Sequence, residues 1–165
     1  CYNRVKGFEK GMTATMKIST KGRYALRMML DIAEQGEGAV VSLKEISQRQ
    51  DISVKYQEQI VMQLSRSGFL TSVRGPSGGY RLARNPKDYR IGEILRAIEG
   101  NLAPIACMEE ENSHCGQCGN CQTLPFWQGL DTVINDYVDR FTLFDLMEHP
   151  HDCCAGRNTA GQTET

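Results

Sequence analysis

Four cysteines near the middle of the chain have the residue type and spacing of a metal or redox site. They stand within fifteen residues, in the stretch CMEEENSHCGQCGNC, and are Cys107, Cys115, Cys118 and Cys121. Cysteine thiolates fill closed four-coordinate zinc sites and also hold iron–sulfur clusters. The residues alone favour these two uses about equally. A thiol–disulfide catalyst is disfavoured because nothing places the cysteines at the start of a helix in a βαβ unit.

The composition bounds the class of protein around this site. The chain of 165 residues has the size of one domain, or of a small domain with an appendage. It has no apolar run that could span a membrane and no recognisable secretory signal, which predicts a cytoplasmic protein. Its seven cysteines favour metal or redox use over disulfides. Residues 1–15 lack apolar periodicity, and we expect them to form an unstructured extension.

The charges are divided unevenly along the chain. Residues 1–90 hold sixteen Lys and Arg against eight Asp and Glu, whereas residues 91–165 hold three against twelve. A basic half fits an anionic partner, because each cation that meets a phosphate releases condensed counterions. The alternative is an ordinary solvated surface.

Helix signals in the basic half predict a helix-turn-helix. Ser19 and Thr20 offer N-cap chemistry for a first helix that ends near Gly36, with an apolar face at Tyr24, Met28, Met29, Ile32 and Ala33. Ser42 and Glu45 form a capping box that opens a short second helix. After a three-residue turn, Ser53 is expected to cap a third helix, over 54–67, which Gly68 ends.

The third helix has a buried stripe and a polar face. The stripe is expected at Ile60, Val61 and Leu64, and the outward side chains at Lys55, Gln59, Gln63 and Arg66. Two helices joined by a short turn, the second of them polar and basic on its free face, are typical of a DNA-reading helix-turn-helix.

A glycine-rich hairpin is predicted next. Two β-prone runs, 69–73 and 80–82, flank the sequence RGPSGG, and arginines at 74, 81 and 84 could meet DNA phosphates or a minor groove. A nucleotide-binding loop is the alternative, but it lacks the Lys-Ser/Thr ending and a strand follows it. No constellation for hydrolysis or group transfer is found, so we expect no enzyme.

The second half predicts helices with a different task. A fourth helix is expected over 91–99, ended by Gly100. After Pro125, large apolar residues recur with 3-4-3-4 spacing, at Trp127, Leu130, Ile134, Tyr137 and Phe141. This spacing indicates a dimer seam, the alternative being a helix packed on its own domain. Thr142 is expected to cap a short final helix.

The predicted organisation is therefore mainly α with a small β-hairpin wing. A winged helix-turn-helix is expected over 16–100, a cysteine-rich loop over 101–123, and a dimerisation helix with a short C-terminal helix over 124–148. Residues 149–165 are expected to be disordered. Cys153 and Cys154 lie there beside two histidines, and an incidental polar tail is favoured over a second metal site.

Three long motifs resemble one family. MKISTKGRYALRMMLDIA, ISVKYQEQIVMQLSRSGFL and SVRGPSGGYRLAR are similar to the IscR/NsrR/RirA/CymR group of bacterial winged-helix regulators, the Rrf-two family, and the match runs from Met16 to about Met147. The resemblance implies a homodimer that binds a palindromic double-stranded DNA operator. It places major-groove contacts at Ser53, Lys55, Tyr56, Glu58 and Gln59, and wing contacts to the minor groove at Arg74, Gly75 and Ser77.

The resemblance also implies an iron–sulfur cluster, most simply [2Fe–2S]. Family members that bind one use three loop cysteines, which match Cys107, Cys115 and Cys121. Leu124 stands where the IscR members have a histidine, and Arg23 where the NsrR members have an aspartate. The fourth ligand is therefore expected to be Cys118 or His114, with zinc as the alternative occupant of the site.

The function implied is a transcriptional repressor or activator. It would sense iron–sulfur or redox status and control genes for iron–sulfur assembly, iron supply or cysteine metabolism. One alternative is a zinc-stabilised or thiol-redox module that binds protein. Another is a cluster-free regulator that takes its signal from a partner enzyme.

Overall fold

The computed structural model describes residues 18–108 and 120–148. These residues form the helices α1 Thr20–Glu34, α2 Leu43–Gln50, α3 Val54–Arg66, α4 Ile91–Glu99, α5 Leu124–Arg140 and α6 Leu143–Glu148, the strands β1 Leu70–Val73 and β2 Gly79–Leu82, and short 3-10 turns at Pro86–Asp88 and Ala106–Met108. The predictions for residues 1–15, His114, Cys115, Cys118 and the tail with Cys153 and Cys154 fall outside the described residues.

Helix α1 begins and packs as its sequence predicts. The Ser19 hydroxyl accepts hydrogen bonds from the backbone N–H groups of Lys21 and Gly22, at 3.1 and 3.2 Å, which satisfies donors that an uncapped helix leaves unpaired. The apolar stripe then enters the core, where Met28, Met29 and Ile32 are buried.

Helices α2 and α3 form the predicted helix-turn-helix. The Ser42–Glu45 capping box is present, and Asp51 ends α2 in the left-handed conformation, with φ 52°. Gly68 ends α3 with φ 75°, and the N–H of Phe69 reaches back to the carbonyl of Leu64 at 2.9 Å. The capping prediction for Ser53 is wrong. Ser53 occupies the N-cap position, but its hydroxyl makes no capping bond.

The predicted hairpin is present and is joined to the start of α2. Strands β1 and β2 are antiparallel, with Leu70 opposite Leu82 and Val73 opposite Gly79. Tyr80 exchanges two backbone hydrogen bonds with Val41, at 2.8 and 2.9 Å. A Cβ atom on Gly79 would stand 2.3 Å from the Val41 carbonyl oxygen, so only glycine permits this approach. The wing is therefore docked against the helix-turn-helix.

Helix α4 lies at the centre of the molecule and contacts α1, α3 and α5. Its buried apolar residues are Ile91, Ile94, Leu95 and Ile98. It ends at Gly100, as predicted, and the chain beyond it stays on the core because Leu102 is buried. Leu143 of α6 belongs to the same core.

Helix α5 divides the predicted seam between two faces. Ile134 and Phe141, together with Val138, pack against the core of their own chain. Phe126, Val133 and Tyr137 point away from it and are 67%, 63% and 60% exposed. On the same side of α5 as its packed residues, Arg96 of α4 donates to Asn135 Oδ1 at 2.9 Å and forms an ion pair with Asp139. Of the five residues predicted to form one seam, Ile134 and Phe141 pack on their own chain, Tyr137 is exposed, and Trp127 and Leu130 are half-exposed, so a dimer seam through all five stays a prediction.

The junction between α5 and α6 returns to the start of α4. Thr142 and Asp145 form the capping bonds that open α6, as predicted. Thr142 also lies opposite Arg90 in an isolated antiparallel bridge. Among the helices of the described residues, none has the length and hydropathy to cross a membrane.

Candidate nucleic-acid interface and cysteine segment

The first half of α3 presents an exposed polar surface. Ser53, Lys55, Glu58 and Gln59 are exposed, and their side chains make no hydrogen bond or ion pair with the described residues. The outward position predicted for Lys55 and Gln59 is therefore correct, and Ser53 and Glu58 are exposed beside them. Side chains left unpaired on a helix held by a turn are available to read base edges in a major groove.

Tyr56 is half-buried and is partly structural. Its ring meets that of Tyr24 edge to face, with centroids 5.8 Å apart. The guanidinium of Arg27 lies 5.4 Å from the Tyr24 ring centroid and also donates to the backbone carbonyl of Gln50, at the end of α2. These contacts leave the Tyr56 edge at the surface while fixing the ring.

Gln57 holds the start of α3 to the turn. It is fully buried, and its Nε2 donates to the carbonyl of Ile52 at 2.7 Å. Its Oε1 has no partner among the described residues. Sequence reasoning missed this residue, because a glutamine on a polar helix carries no signal that it points inward.

Gln63 does not belong to the outward face to which the sequence assigned it. Its Nε2 donates to the carbonyls of Ala97 at 2.6 Å and Ile98 at 3.3 Å, in the last turn of α4. Its Oε1 accepts from Lys21 Nζ. Helix ends leave carbonyls unpaired, and here a side chain from α3 satisfies them.

A buried carboxylate ties α1 to α2. Asp31 is 2% exposed, and Arg49 donates to it through Nε at 2.9 Å and Nη2 at 2.7 Å. Gln50 Nε2 adds a third bond at 3.0 Å. The hydrogen bonding of the Arg49 guanidinium to the Asp31 carboxylate is the main cause that raises the pKa of Arg49. Two charges paired in this fork-like geometry set the angle at which α2 meets α1.

The tip of the wing is exposed, whereas the arginine at its base contacts two aromatic rings. Arg74, Gly75, Ser77 and Arg81 are exposed, as an arm that reaches a groove requires. Arg84 is different. Its guanidinium lies 5.4 Å from the Phe69 ring centroid and 4.7 Å from that of Tyr89, and it pairs with Glu93. Arg84 is nevertheless exposed, so the expectation that it meets phosphates stays a prediction beside this structural role.

Two of the four clustered cysteines lie in the described residues. Cys107 is in the second 3-10 turn, Cys121 comes just before α5, and both are half-exposed free thiols. Cys121 Sγ lies 3.3 Å from Thr123 Oγ1, and this hydrogen bond is the main cause that lowers the pKa of Cys121. A lowered pKa favours the thiolate, the form that binds metal. The structure groups no three Cys, His, Asp or Glu as ligands within 18–108 and 120–148.

A helix-turn-helix whose second helix exposes a polar face, followed by a docked two-stranded wing, defines a winged-helix DNA-binding transcriptional regulator. The chain belongs to the Rrf2 family. The model of that family, described as an iron-dependent transcriptional regulator, matches residues 18–149.

Curated relatives and solved structures agree with this membership. The chain is 41% identical over 138 residues to Protein rrf2 of Nitratidesulfovibrio vulgaris, covering 84% of this chain and 91% of that protein. It is 37% identical to the regulator IscR of Aliivibrio salmonicida, covering 80% of this chain and 77% of that protein. CymR, titled the global cysteine regulator of B. subtilis, matches with a TM-score of 0.66 and 34% identity over 80% and 96% of the two chains. IscR of T. potens matches with a TM-score of 0.64 and 32% identity, covering 89% of this chain and 93% of that chain.

Replacing Thr123 with valine is expected to raise the pKa of Cys121, because the hydrogen bond that favours its thiolate is lost. The measurement is the rate of iodoacetamide alkylation against pH on metal-free protein, read at the Cys121 peptide by mass spectrometry. The alkylation profile of Cys121 should move to higher pH, while that of Cys107 in the same digest stays in place. An unmoved Cys121 profile would show that Thr123 does not stabilise the thiolate.

Proposed function

We propose that this chain is a homodimeric repressor or activator whose operator binding responds to iron–sulfur or redox status through a cysteine-ligated cluster. The observation that carries the proposal is that Gln57 and Gln63 bond α3 to its own chain, while Lys55, Glu58 and Gln59 are exposed and make no side-chain bond with the described residues. The family description and the names of the IscR relatives support the iron–sulfur part. Genes for iron–sulfur assembly, iron supply or cysteine metabolism are the proposed targets.

On the DNA side, the side chains have complementary roles. Lys55 donates to guanine O6 and N7, and Gln59 pairs with the N6 and N7 edge of adenine, while Glu58 accepts from cytosine N4. Ser53 is free to donate to a base or phosphate because its hydroxyl does not cap α3. Arg74, with Gly75 and Ser77 behind it, enters a narrow and electronegative minor groove.

The dimer is proposed to form on the exposed face of α5. Phe126, Val133 and Tyr137 are the large apolar side chains that this helix leaves uncovered, and the spacing of seven and four residues aligns them along one side. A contiguous apolar strip on a helix is typical of a subunit interface. Two copies related by a two-fold axis would present two α3 helices to the halves of a palindromic operator.

The cysteine segment fits a thiolate-ligated group. Cys107 and Cys121 are free, accessible, and stand at the two ends of the segment, and Thr123 favours the thiolate of Cys121. Cys115 and Cys118 complete an all-thiolate set, with His114 as the alternative fourth ligand. When bound, a [2Fe–2S] cluster supplies a charge that changes on reduction or loss. Zinc is the alternative occupant. In the same proposal, the site is formed by residues 101–123 and the dimer by residues 124–148.

Truncating Gln59 to alanine is expected to relax sequence preference at one base pair, at a cost of about 1–3 kcal/mol. The measurement compares affinity for a duplex selected from a random library with affinity for single-base variants of it, at fixed salt. Gln48→Ala is the matched control, because Gln48 is exposed on α2 and makes no side-chain bond with the described residues. Equal discrimination by wild type and Gln59→Ala would contradict the reading role.

A charge placed on the uncovered face of α5 is expected to break the dimer. Val133→Asp puts a carboxylate in the proposed apolar interface and should weaken self-association by at least about tenfold, since burying an unpaired charge is costly. Thr132→Asp adds the same charge one position away and should leave the dimer intact. Sedimentation equilibrium measures both. If Val133→Asp dimerises like the wild type, the interface lies elsewhere.

Protein purified without oxygen is expected to show thiolate-to-iron charge-transfer absorption, with iron and sulfide in equal amounts. Cys107→Ala and Cys121→Ala should each lose this absorption, and Cys153→Ala should keep it. Colourless protein with stoichiometric zinc would favour the zinc-stabilised alternative. Colourless, metal-free protein that still binds its operator would favour a regulator signalled by a partner enzyme.

A further inference from the structure

Tyr89 is a buried titratable residue to which the proposed function gives no role. It lies between the 3-10 turn Pro86–Asp88 and α4 and is 0% exposed. Its hydroxyl donates to the carbonyl of Phe69 at 2.9 Å and accepts from the N–H of Arg84 at 2.7 Å. Phe69 comes just before β1, and Arg84 comes two residues after β2. A single hydroxyl therefore joins the two ends of the wing.

The ring of Tyr89 extends the same junction. Its centroid is 5.9 Å from that of the Phe69 ring, and the guanidinium carbon of Arg84 lies 4.7 Å from the same Tyr89 centroid. Two strands of four residues have little stability of their own. The orientation of the hairpin therefore depends on its docking, which the bridge from Val41 to Tyr80 provides on one side and Tyr89 provides at the base.

The backbone of the same residue is bonded to the end of the proposed dimerisation helix. The carbonyl of Tyr89 accepts from the N–H of Leu143 at 2.9 Å, and the N–H of Ile91 donates to the carbonyl of Phe141 at 3.0 Å. Phe141 follows α5 directly, and Leu143 begins α6. Tyr89 is thus bonded to the wing through its side chain and to the α5–α6 junction through its backbone.

We propose that Tyr89 is a positioning residue that sets the orientation of the wing relative to α5 and α6, so that the DNA contact of Arg74 depends on it. This inference rests on the proposed minor-groove contact of Arg74. Tyr89 touches no DNA itself. It acts through the hairpin ends, and a change in the position of α5 reaches the wing through the same residue.

A double-mutant cycle on DNA affinity tests the inference. Tyr89→Phe keeps the ring and removes only the hydroxyl. In the wild-type background Arg74→Ala should weaken binding to the selected duplex roughly tenfold, and in the Tyr89→Phe background by clearly less. Gln59→Ala should cost the same factor in both backgrounds, because α3 is held by Gln57 and Gln63 and not by Tyr89. Global destabilisation would not separate the two sites in this way.

Tyr80→Phe is the matched control. It removes a hydroxyl from a tyrosine within the wing, and that hydroxyl makes no hydrogen bond with the described residues. Arg74→Ala should keep its full effect there. Amide hydrogen exchange adds a readout without DNA: exchange in β1 and β2 should accelerate in Tyr89→Phe and not in Tyr80→Phe.

The outcomes separate the two proposals. If Arg74→Ala weakens binding equally in the wild-type and Tyr89→Phe backgrounds, or if exchange in the wing is unchanged, the positioning role of Tyr89 is overturned and the wing contact stands. If Arg74→Ala has no effect in any background, the wing contact itself is wrong and the inference falls with it. Thermal unfolding of each variant establishes that it is folded at the assay temperature.

Discussion

Helix α4 packs against α1, α3 and α5 at once, and the proposed functional surfaces depend on that contact. Its apolar face supplies much of the buried core, and its polar groups then fix the neighbours in rotation. The last carbonyls of α4 accept from Gln63 of α3, Arg96 binds α5, and Glu99 accepts from both the N–H and the hydroxyl of Ser19. Burial alone is non-directional, so these bonds decide how the reading face and the dimer face are oriented.

The parts of the fold that the sequence predicts are those with local causes. The start of α1 at Ser19, the capping box at Ser42 and the end of α3 at Gly68 each follow from a residue and its near neighbours. The bounds of α4 follow from dense apolar periodicity ended by Gly100. The exposed residues of α3 were also predictable, because a helix that buries Ile60, Val61 and Leu64 must turn its other side to solvent.

The sequence-based predictions fail where contacts between residues far apart in sequence determine the position of a side chain. Gln63 looks like any polar surface residue, and only the end of α4 draws it inward. Heptad spacing on α5 could not separate a face packed on its own chain from an exposed one, because the contacts with α4 are distant in sequence. The packing of Arg84 on two aromatic rings was likewise invisible in the sequence, which shows only its charge. A loop tyrosine such as Tyr89 carries no periodic signal. For the cysteines, the sequence gives ligand types but not their arrangement.

The bond between Ile91 and Phe141 closes a loop of fifty residues that contains the whole cysteine segment. The entropy of the chain sets the free-energy cost of closing such a loop, and this cost grows only with the logarithm of the loop length. Joining Cys107 to Cys121 would shorten the loop by about fourteen residues and change that cost by only about 0.3 kcal/mol. Ligation of Cys107 and Cys121 therefore changes the entropy of closing this one loop very little. As far as loop closure is concerned, a group bound to these two cysteines would act as a small bias on the Ile91–Phe141 contact and not as a condition for it.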